Sequence, residues 1–207
     1  MLPLVDEEKL PLRDLTDPKA LKALAHPARL RLLEALAAGG PMTATELGRS
    51  VGQSAANCSW HLRHLAQYGF VAEAGGGTGR QRPWRIVSSR HRWGEGPLAD
   101  AETERAGSAL TDMLVAREVE AMRAGLAASR TGPEEWREAT FLTQAISWLT
   151  AAELADIQSD IHALLFRYAD RAVDPEARPP DSRMIRFAAW GVPAVPAELR
   201  DDKGTQP

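Results

Sequence analysis

The fold is decided by a 27-residue stretch that reads TATELGRSVGQSAANCSWHLRHLAQYG and spans residues 43–69. Thr43 and Glu46 have the spacing of a capping box, in which each side chain accepts a hydrogen bond from the other residue's backbone N–H. Gly52 supplies the backbone freedom that a sharp turn needs after this first short helix. Ser54 is a favourable N-cap for a second helix. Two short helices joined by a glycine-containing turn predict a helix-turn-helix.

The second helix of this stretch has an apolar face and a polar face. Cys58, Leu62 and Leu65 recur at i, i+4 and i+7, which predicts a buried stripe. Small and hydrogen-bonding side chains on the other face suit a helix that enters the major groove of DNA. An amphipathic helix of an ordinary bundle has the same stripe, so the helix alone leaves both interpretations open. The positions predicted to face DNA are Ser54, Ala56, Asn57, Ser59, Trp60, Arg63, His64 and Gln67.

A hairpin pattern follows directly. Two β-prone runs, residues 70–74 and 83–87, flank the glycine-rich sequence GGGTGRQR at 75–82. Arginines on such a loop can follow phosphates or enter a narrow minor groove. An isolated Gly-Arg loop is more often a solvated turn, but directly after a helix-turn-helix it is interpreted as a wing. The arginines assigned to DNA here are Arg80, Arg82 and Arg85.

Upstream of the turn, a His26-Pro27 step separates two helices, and the second is expected to end at Ala38. Arg29 and Arg31 are interpreted as solvated or ion-paired residues rather than phosphate contacts. The leucines expected to face the core or a partner subunit are Leu21, Leu24, Leu30, Leu33 and Leu36.

Together these segments resemble the ArsR-like winged-helix repressors. Members of that family typically run lkaLahptRlrIL before the helix-turn-helix and Ser-x-His-Leu-x-x-Leu-x-x-x-Gly-Leu-Val through it. This chain has LKALAHPARLRLLEAL at 21–36, SWHL at 59–62 and YGFV at 68–71. The resemblance covers about residues 17–90 and implies a dimeric transcriptional regulator whose recognition helix spans Ser54–Tyr68. The remaining chain would be an additional C-terminal domain.

The same resemblance argues against metal sensing. Metal-sensing members carry a Cys-x-Cys pair at the start of the helix before the turn, where this chain has MTAT at 42–45. Transition-metal sites need three or four Cys, His or carboxylate ligands, and the five histidines show no paired spacing on a common helix face. The single cysteine, Cys58, falls on the buried face, where a thiol is usually inert. No metal and no cofactor are expected.

The charge of the chain is unevenly distributed. Residues 17–92 hold eleven Lys or Arg and four Asp or Glu, a net charge of +7, whereas the remaining residues carry −10. This asymmetry predicts that only the first module faces nucleic acid. The sequence shows no signal peptide, no membrane-spanning apolar run and no cysteine framework. A cytoplasmic protein without a membrane partner is therefore expected.

The rest of the chain divides into less distinctive parts. Residues 1–16 are expected to be an N-terminal arm, 91–192 a dimerisation module and 193–207 a disordered tail. A long amphipathic helix is predicted from 97 to 129. Its apolar seam suits either the core of the same chain or a second subunit. The seam consists of Val115, Val119, Met122 and Leu126.

The dimerisation module is expected to be a small α+β unit. Thr150 and Glu153 repeat the capping box and begin another helix, and residues 140–149 and 184–190 are predicted strands. The whole chain is thus mainly α (α+β). Three tryptophans either line an apolar pocket for a small organic effector or fill a small core. They are Trp136, Trp148 and Trp190.

The sequence therefore predicts a sequence-specific DNA-binding transcriptional regulator, more a homodimeric repressor than an activator, acting on a palindromic operator. Asn57, Ser59, Trp60 and Arg63 are expected to contact base edges or sugars, and Ser54 a phosphate. An enzyme is disfavoured because the chain has no nucleophile elbow, phosphate loop or dinucleotide fingerprint. The alternative is a protein-interaction module whose winged helix is not used on DNA, which the basic hairpin disfavours.

Overall fold

A computed structural model of the chain describes residues 13–75, 82–87, 91–93, 100–169, 171 and 174–194. In chain order its elements are β1 (Arg13–Asp14), α1 (Pro18–Leu24), α2 (Pro27–Gly39), α3 (Ala44–Val51), α4 (Ala55–Gln67), β2 (Val71–Glu73), β3 (Trp84–Ile86), β4 (His91–Arg92), α5 (Ala101–Ser129), α6 (Glu134–Ala139) and α7 (Ala151–Leu165), with a short 3-10 turn at Pro175–Ala177. This confirms a mainly helical chain in which a winged helix-turn-helix precedes a long helix. The predictions for residues 1–12, for the wing tip and for the tail beyond 194 lie outside the described residues.

The first four helices and the hairpin share one hydrophobic core. Asp17 caps α1 by accepting a hydrogen bond from Lys19 N at 2.8 Å, and Pro18 takes the first helical position. β2 and β3 pair antiparallel, with Val71 opposite Ile86. Of the five predicted leucines, Leu33 is half-buried and the others are buried. The core also includes Leu15, a residue that the sequence assigned to the arm.

Arg29 differs from its prediction. It is only 7% exposed, and its Nη2 donates to the Lys22 carbonyl oxygen at 3.5 Å, whereas Nε and Nη1 are buried without a partner. The interpretation of Arg29 as solvated or ion-paired is therefore wrong. Arg29 lies in the first turn of α2, within hydrogen-bond distance of a carbonyl oxygen of α1, so its side chain is enclosed between the two helices rather than exposed to water. Arg31 is exposed, as expected.

The long helix α5 joins the two halves of the chain. Asp100 caps it by accepting a hydrogen bond from Thr103 N at 2.7 Å, so the helix begins at Ala101 rather than at residue 97. Its first turns bury Ala106 and Leu110 against the core. Farther along, the described chain covers only part of the predicted seam. Val115 and Met122 are exposed, while Val119 and Leu126 are half-buried.

The C-terminal module contains helices without the predicted strands. Residues 140–149 and 184–190 form neither helix nor strand, and neither segment joins a ladder within the described residues. The expectation of an α+β unit is therefore wrong for this part of the single chain, because a β-prone segment needs a neighbouring edge to become a strand. Within the described part, no helix is both long enough and apolar enough to cross a membrane.

Candidate nucleic-acid interface

The turn between α3 and α4 is fixed by local interactions. Thr43 N donates to Glu46 Oε2 at 2.7 Å and Glu46 N donates to Thr43 Oγ1 at 3.3 Å, which confirms the capping box. Gly52 has a φ of +67°, in the left-handed region that favours glycine. A Cβ at Gly48 would lie 2.6 Å from the Gln53 carbonyl oxygen. Glycine at position 48 therefore lets the turn pack directly on α3.

The N-terminus of α4 is uncovered. Ser54 Oγ accepts a hydrogen bond from Asn57 N at 3.2 Å, which confirms the predicted cap. Asn57 Nδ2 donates to Gln53 Oε1 at 2.8 Å, so the amide is oriented in the free protein. The side chains of residues 54–57 are exposed, and Ala55 and Ala56 add little bulk. A phosphate group of another molecule can therefore approach this helix end closely. Sequence reasoning missed Gln53, although it lies four residues before Asn57.

The inner face of α4 is fully packed. Cys58, Leu62 and Leu65 are completely buried, which confirms the predicted stripe. Burial raises the pKa of the Cys58 thiol, which agrees with an inert side chain. Since this face belongs to the core, only the opposite face of α4 is free to contact another molecule.

The outer face of α4 carries an aromatic ridge. The Trp60 and His64 rings stack with centroids 5.9 Å apart and an interplanar angle of 3°, and Tyr68 meets His64 edge-on at 5.5 Å. Trp60 is 56% exposed, and Arg63 and Gln67 are exposed beside it. These contacts fix the three rings relative to one another beside polar side chains. Sequence reasoning named Trp60 and His64 as separate contacts but missed that they form a ridge with Tyr68. The i, i+4, i+8 spacing of the three residues in the sequence could have indicated it.

Three histidines in or next to this ridge have lowered pKa values. His26 and His61 have ring centroids 4.8 Å apart, and His26 Nδ1 accepts a hydrogen bond from Ala28 N at 3.1 Å. Burial lowers the pKa of His26, His61 and His64, and the nearby Arg29 charge lowers it further. The lowered pKa favours the neutral form of His64, whose imidazole can both donate and accept hydrogen bonds.

The hairpin presents arginines at its base. Arg82 Nη1 lies 2.7 Å from Glu73 Oε2, and this hydrogen bond raises the pKa of Arg82. Both side chains are exposed, so the pair contributes little to stability and can exchange for another anion. Arg85 is exposed on β3. Arg80 lies outside the described residues, so its assignment remains a prediction.

Residues 24–74, a quarter of the chain, match the family model of a helix-turn-helix domain. The match runs from the end of α1 through β2 and so contains the whole of α3, the turn and α4. This chain carries a helix-turn-helix domain. Such domains bind DNA through their second helix and are typical of transcriptional regulators. A comparison with curated proteins gives no match.

Outside the helix-turn-helix domain, the three tryptophans are distributed along the C-terminal module. Trp136 is half-buried beneath Arg183, whose Cζ lies 4.7 Å from its ring centroid. Trp148 and Trp190 are exposed, and no ring contact joins any two of the three among the described residues. The effector pocket stays a prediction. The described residues also contain no group of three or more His, Cys, Asp or Glu side chains placed to hold a metal ion.

An ion-pair network ties the C-terminal segment to the helix-turn-helix domain. Glu34 on α2 pairs with Arg117 on α5, and Arg186 Nη2 lies 2.8 Å from Glu34 Oε1. Arg186 Nη1 lies 2.7 Å from Glu118 Oε1. Burial alone would raise the pKa of Glu34, but the hydrogen bonds from both arginines outweigh burial and lower it. The segment around Arg186 is thus held against α2 and α5.

Proposed function

We propose that this protein is a sequence-specific transcriptional regulator of the ArsR-like winged-helix type, acting in the cytoplasm as a homodimeric repressor. One observation carries the proposal. The outer face of α4 presents oriented polar side chains and an aromatic ridge, while its inner face is completely buried. A helix held in this way after a helix-turn-helix turn is suited to the major groove. We propose a binding protein and not an enzyme.

The contacts with DNA divide by type. Ser54 and the backbone N–H groups at the start of α4 bind a phosphate, because a helix N-terminus attracts anions. Arg63 and Asn57 read base edges, assisted by the contacts of Ser59 and Trp60 with bases or sugars. Ala56, His64 and Gln67 line the same face. The wing arginines Arg80, Arg82 and Arg85 bind the backbone or the minor groove, and Arg82 exchanges Glu73 for a phosphate.

A palindromic operator requires a two-fold dimer. We assign residues 17–90 to DNA binding and 91–192 to dimerisation, with a small organic effector as a candidate ligand of the second unit. A dimer places its two recognition helices about one helical turn apart or somewhat more. The net charge of +7 on residues 17–92 and −10 elsewhere directs the first unit to DNA.

The test is a charge reversal of the wing. The double variant Arg80→Glu and Arg82→Glu should lose most of its affinity for DNA, and log Kd should depend less steeply on log salt by about 0.9 for each phosphate contact removed. Arg130→Glu, at the exposed end of α5 in the acidic unit, is the matched control and should bind like the original protein. Fluorescence anisotropy with labelled duplex DNA measures both. Unchanged affinity of the wing variant would favour a protein-interaction module.

A further inference from the structure

Trp60 is a large aromatic side chain that α4 leaves exposed on its outer face. The side chain is 56% exposed, although Cys58, Leu62 and Leu65 of the same helix are completely buried. Single exposed hydrophobic residues are common on soluble proteins, so exposure alone indicates no function. The position of Trp60 is more informative, because it lies on the face of α4 that is free to contact another molecule.

The Trp60 ring is held in one orientation by two histidines. His61 meets it edge-on, with ring centroids 4.8 Å apart and an interplanar angle of 74°, and the His64 ring stacks on it at 5.9 Å. His61 is itself buried and packs against His26 at 4.8 Å, so it ties the exposed indole to the interior. A side chain that is ordered before binding loses little conformational entropy when it meets a ligand. Trp60 is therefore suited to a specific contact.

Trp60 also has an unused hydrogen-bond donor. Indole carries one N–H donor at Nε1 and no acceptor. Within the part of the chain that the structure describes, Trp60 takes part in ring contacts with His61 and His64, and its Nε1 donates no hydrogen bond to a protein group. The side chain thus offers a partner an apolar ring and one donor.

The residues before Trp60 let its ring approach the bases of DNA. Ala56 lies one helical turn earlier and on nearly the same side of α4. Its side chain is a single methyl group, and it is exposed together with Ala55 and Asn57. The N-terminal end of α4 can therefore lie deep in the major groove, where a longer side chain would hold it away. We expect Trp60, one turn later, to lie at the level of the base edges rather than the phosphates.

The chemistry of Trp60 matches one base edge. In the major groove guanine presents two acceptors, cytosine a donor, and adenine an acceptor and a donor, whereas thymine presents the O4 acceptor beside its C5-methyl group. Thymine is thus the only base that combines an acceptor with an apolar group. A phosphate would accept from Nε1 but leave the ring without an apolar partner. A deoxyribose would contact the ring in the same way in every sequence.

We propose that Trp60 recognises thymine in the major groove, with the indole ring packed on the C5-methyl group and Nε1–H donated to O4. The inference rests on the proposed DNA-binding function and names a base that the recognition helix selects. In a two-fold dimer the contact occurs twice. Each half-site of the operator then contains a thymine whose methyl group contributes to affinity.

The experiment first removes the methyl group from the DNA. The probe is the best duplex selected from a random pool, in which deoxyuridine replaces each thymine in turn, and fluorescence anisotropy measures Kd for the full chain. Deoxyuridine lacks the C5-methyl group and keeps O4. At one thymine of a half-site, the replacement should raise Kd roughly fourfold, the value of one buried methyl group.

Three variants then identify the side chain that senses the methyl group. Trp60→Ala should bind the thymine and deoxyuridine duplexes with the same Kd. Trp60→Phe keeps an aromatic ring without the N–H donor, so it should preserve most of the ratio of the two Kd values while binding both duplexes more weakly. Arg63→Ala, the matched control on the same face, should weaken both and leave their ratio unchanged. Since Trp60 and Arg63 are exposed, all three variants should unfold near the temperature of the original protein, which circular dichroism checks.

A Kd ratio that disappears in Trp60→Ala but persists in Arg63→Ala would support the proposal. A selected motif without a methyl-sensitive thymine, or a ratio that persists in Trp60→Ala, would overturn it and leave the proposed function intact. Failure to select any motif, with weak binding to every duplex, would reject the proposed function itself and this inference with it.

Discussion

Helices α4 and α7 are built alike and packed differently. Both are amphipathic, both begin at a hydroxyl N-cap, and both carry an apolar stripe. The stripe of α4 is completely buried by its own chain, whereas Ile157 and Leu164 of α7 are 40% and 50% exposed. The comparison teaches that hydrophobic periodicity identifies the helix face that must be buried, but not the molecule against which it packs. The apolar face of α4 packs within its own chain. For the region around α7 we assign the packing partner to a second chain.

The largest expected effect is on the free energy of unfolding, and it should differ between the apolar stripes of α4 and α7. Leu62→Ala should destabilise the protein by about 2–5 kcal/mol, because it opens a cavity in a closed core. Its cost should not depend on protein concentration. Ile157→Ala should cost little in dilute protein and more as concentration rises, since binding to the second chain adds stability by mass action. Urea unfolding at two concentrations measures both. Equal costs in dilute protein would show that α7 is packed within its own chain.

The largest histidine contribution to the pH dependence of stability should come from His91 on β4, whose ring packs edge-on against Phe70 of the core that also holds α4. Burial, and then the Arg13 charge, lowers the pKa of His91 from 6.5 to about 4, and its Nε2 is buried without a partner. The folded state therefore binds this proton less readily than the unfolded state. The associated stability is present above pH 6.5 and is lost as the pH falls toward 4, by at most about 3 kcal/mol.

His91→Gln should flatten this part of the pH profile, and His162→Gln on the exposed side of α7 is the matched control. Thermal unfolding between neutral pH and pH 4.5 provides the measurement. Equal flattening by both variants would mean that the buried position of His91 is not the cause. The remaining slope belongs to other groups, including His26 and His61, whose pKa values are also lowered.

A similar contrast should hold for DNA affinity. Arg63→Ala on the outer face of α4 should weaken binding by about 1–3 kcal/mol and relax the sequence preference at one position, if Arg63 reads a base. Arg130→Ala should change neither. Competition binding with single-base operator variants distinguishes the possibilities. Uniform weakening on all DNA would make Arg63 a phosphate contact.

The smallest expected effect on stability is the loss of a helix cap, and it should differ between the two capping boxes of the chain. The Thr43 and Thr150 capping boxes have the same geometry, with backbone N–H to carboxylate distances of 2.7 Å in both. Thr43→Ala should lower the free energy of unfolding by about 1 kcal/mol, because α3 unfolds with the core. Thr150→Ala should fray α7 locally and leave the main transition in place. Residue-resolved hydrogen exchange detects the difference, and equal global losses would show that both regions unfold as one unit.

Sequence reasoning succeeded where structure is determined locally. Thr43, Gly52 and Ser54 define the caps and the turn through residues at most a few positions away, so their pattern sufficed. Sequence reasoning failed where the conformation depends on contacts between segments that are far apart in the sequence. The inward position of Arg29 depends on how α1 meets α2, and residues 140–149 need an edge that the single chain does not supply. The pairing of Arg82 with Glu73 was likewise invisible, since hairpin register alone brings them together.

The central claim is that the outer face of α4 and the wing read DNA sequence. Selection of bound duplexes from a random pool, followed by affinity measurements across a salt series, tests it most directly. The account predicts a palindromic motif with half-sites about one helical turn apart or somewhat more, and an affinity that falls steeply as salt rises. Recovery of no motif, with weak binding that is the same for every sequence, would contradict it.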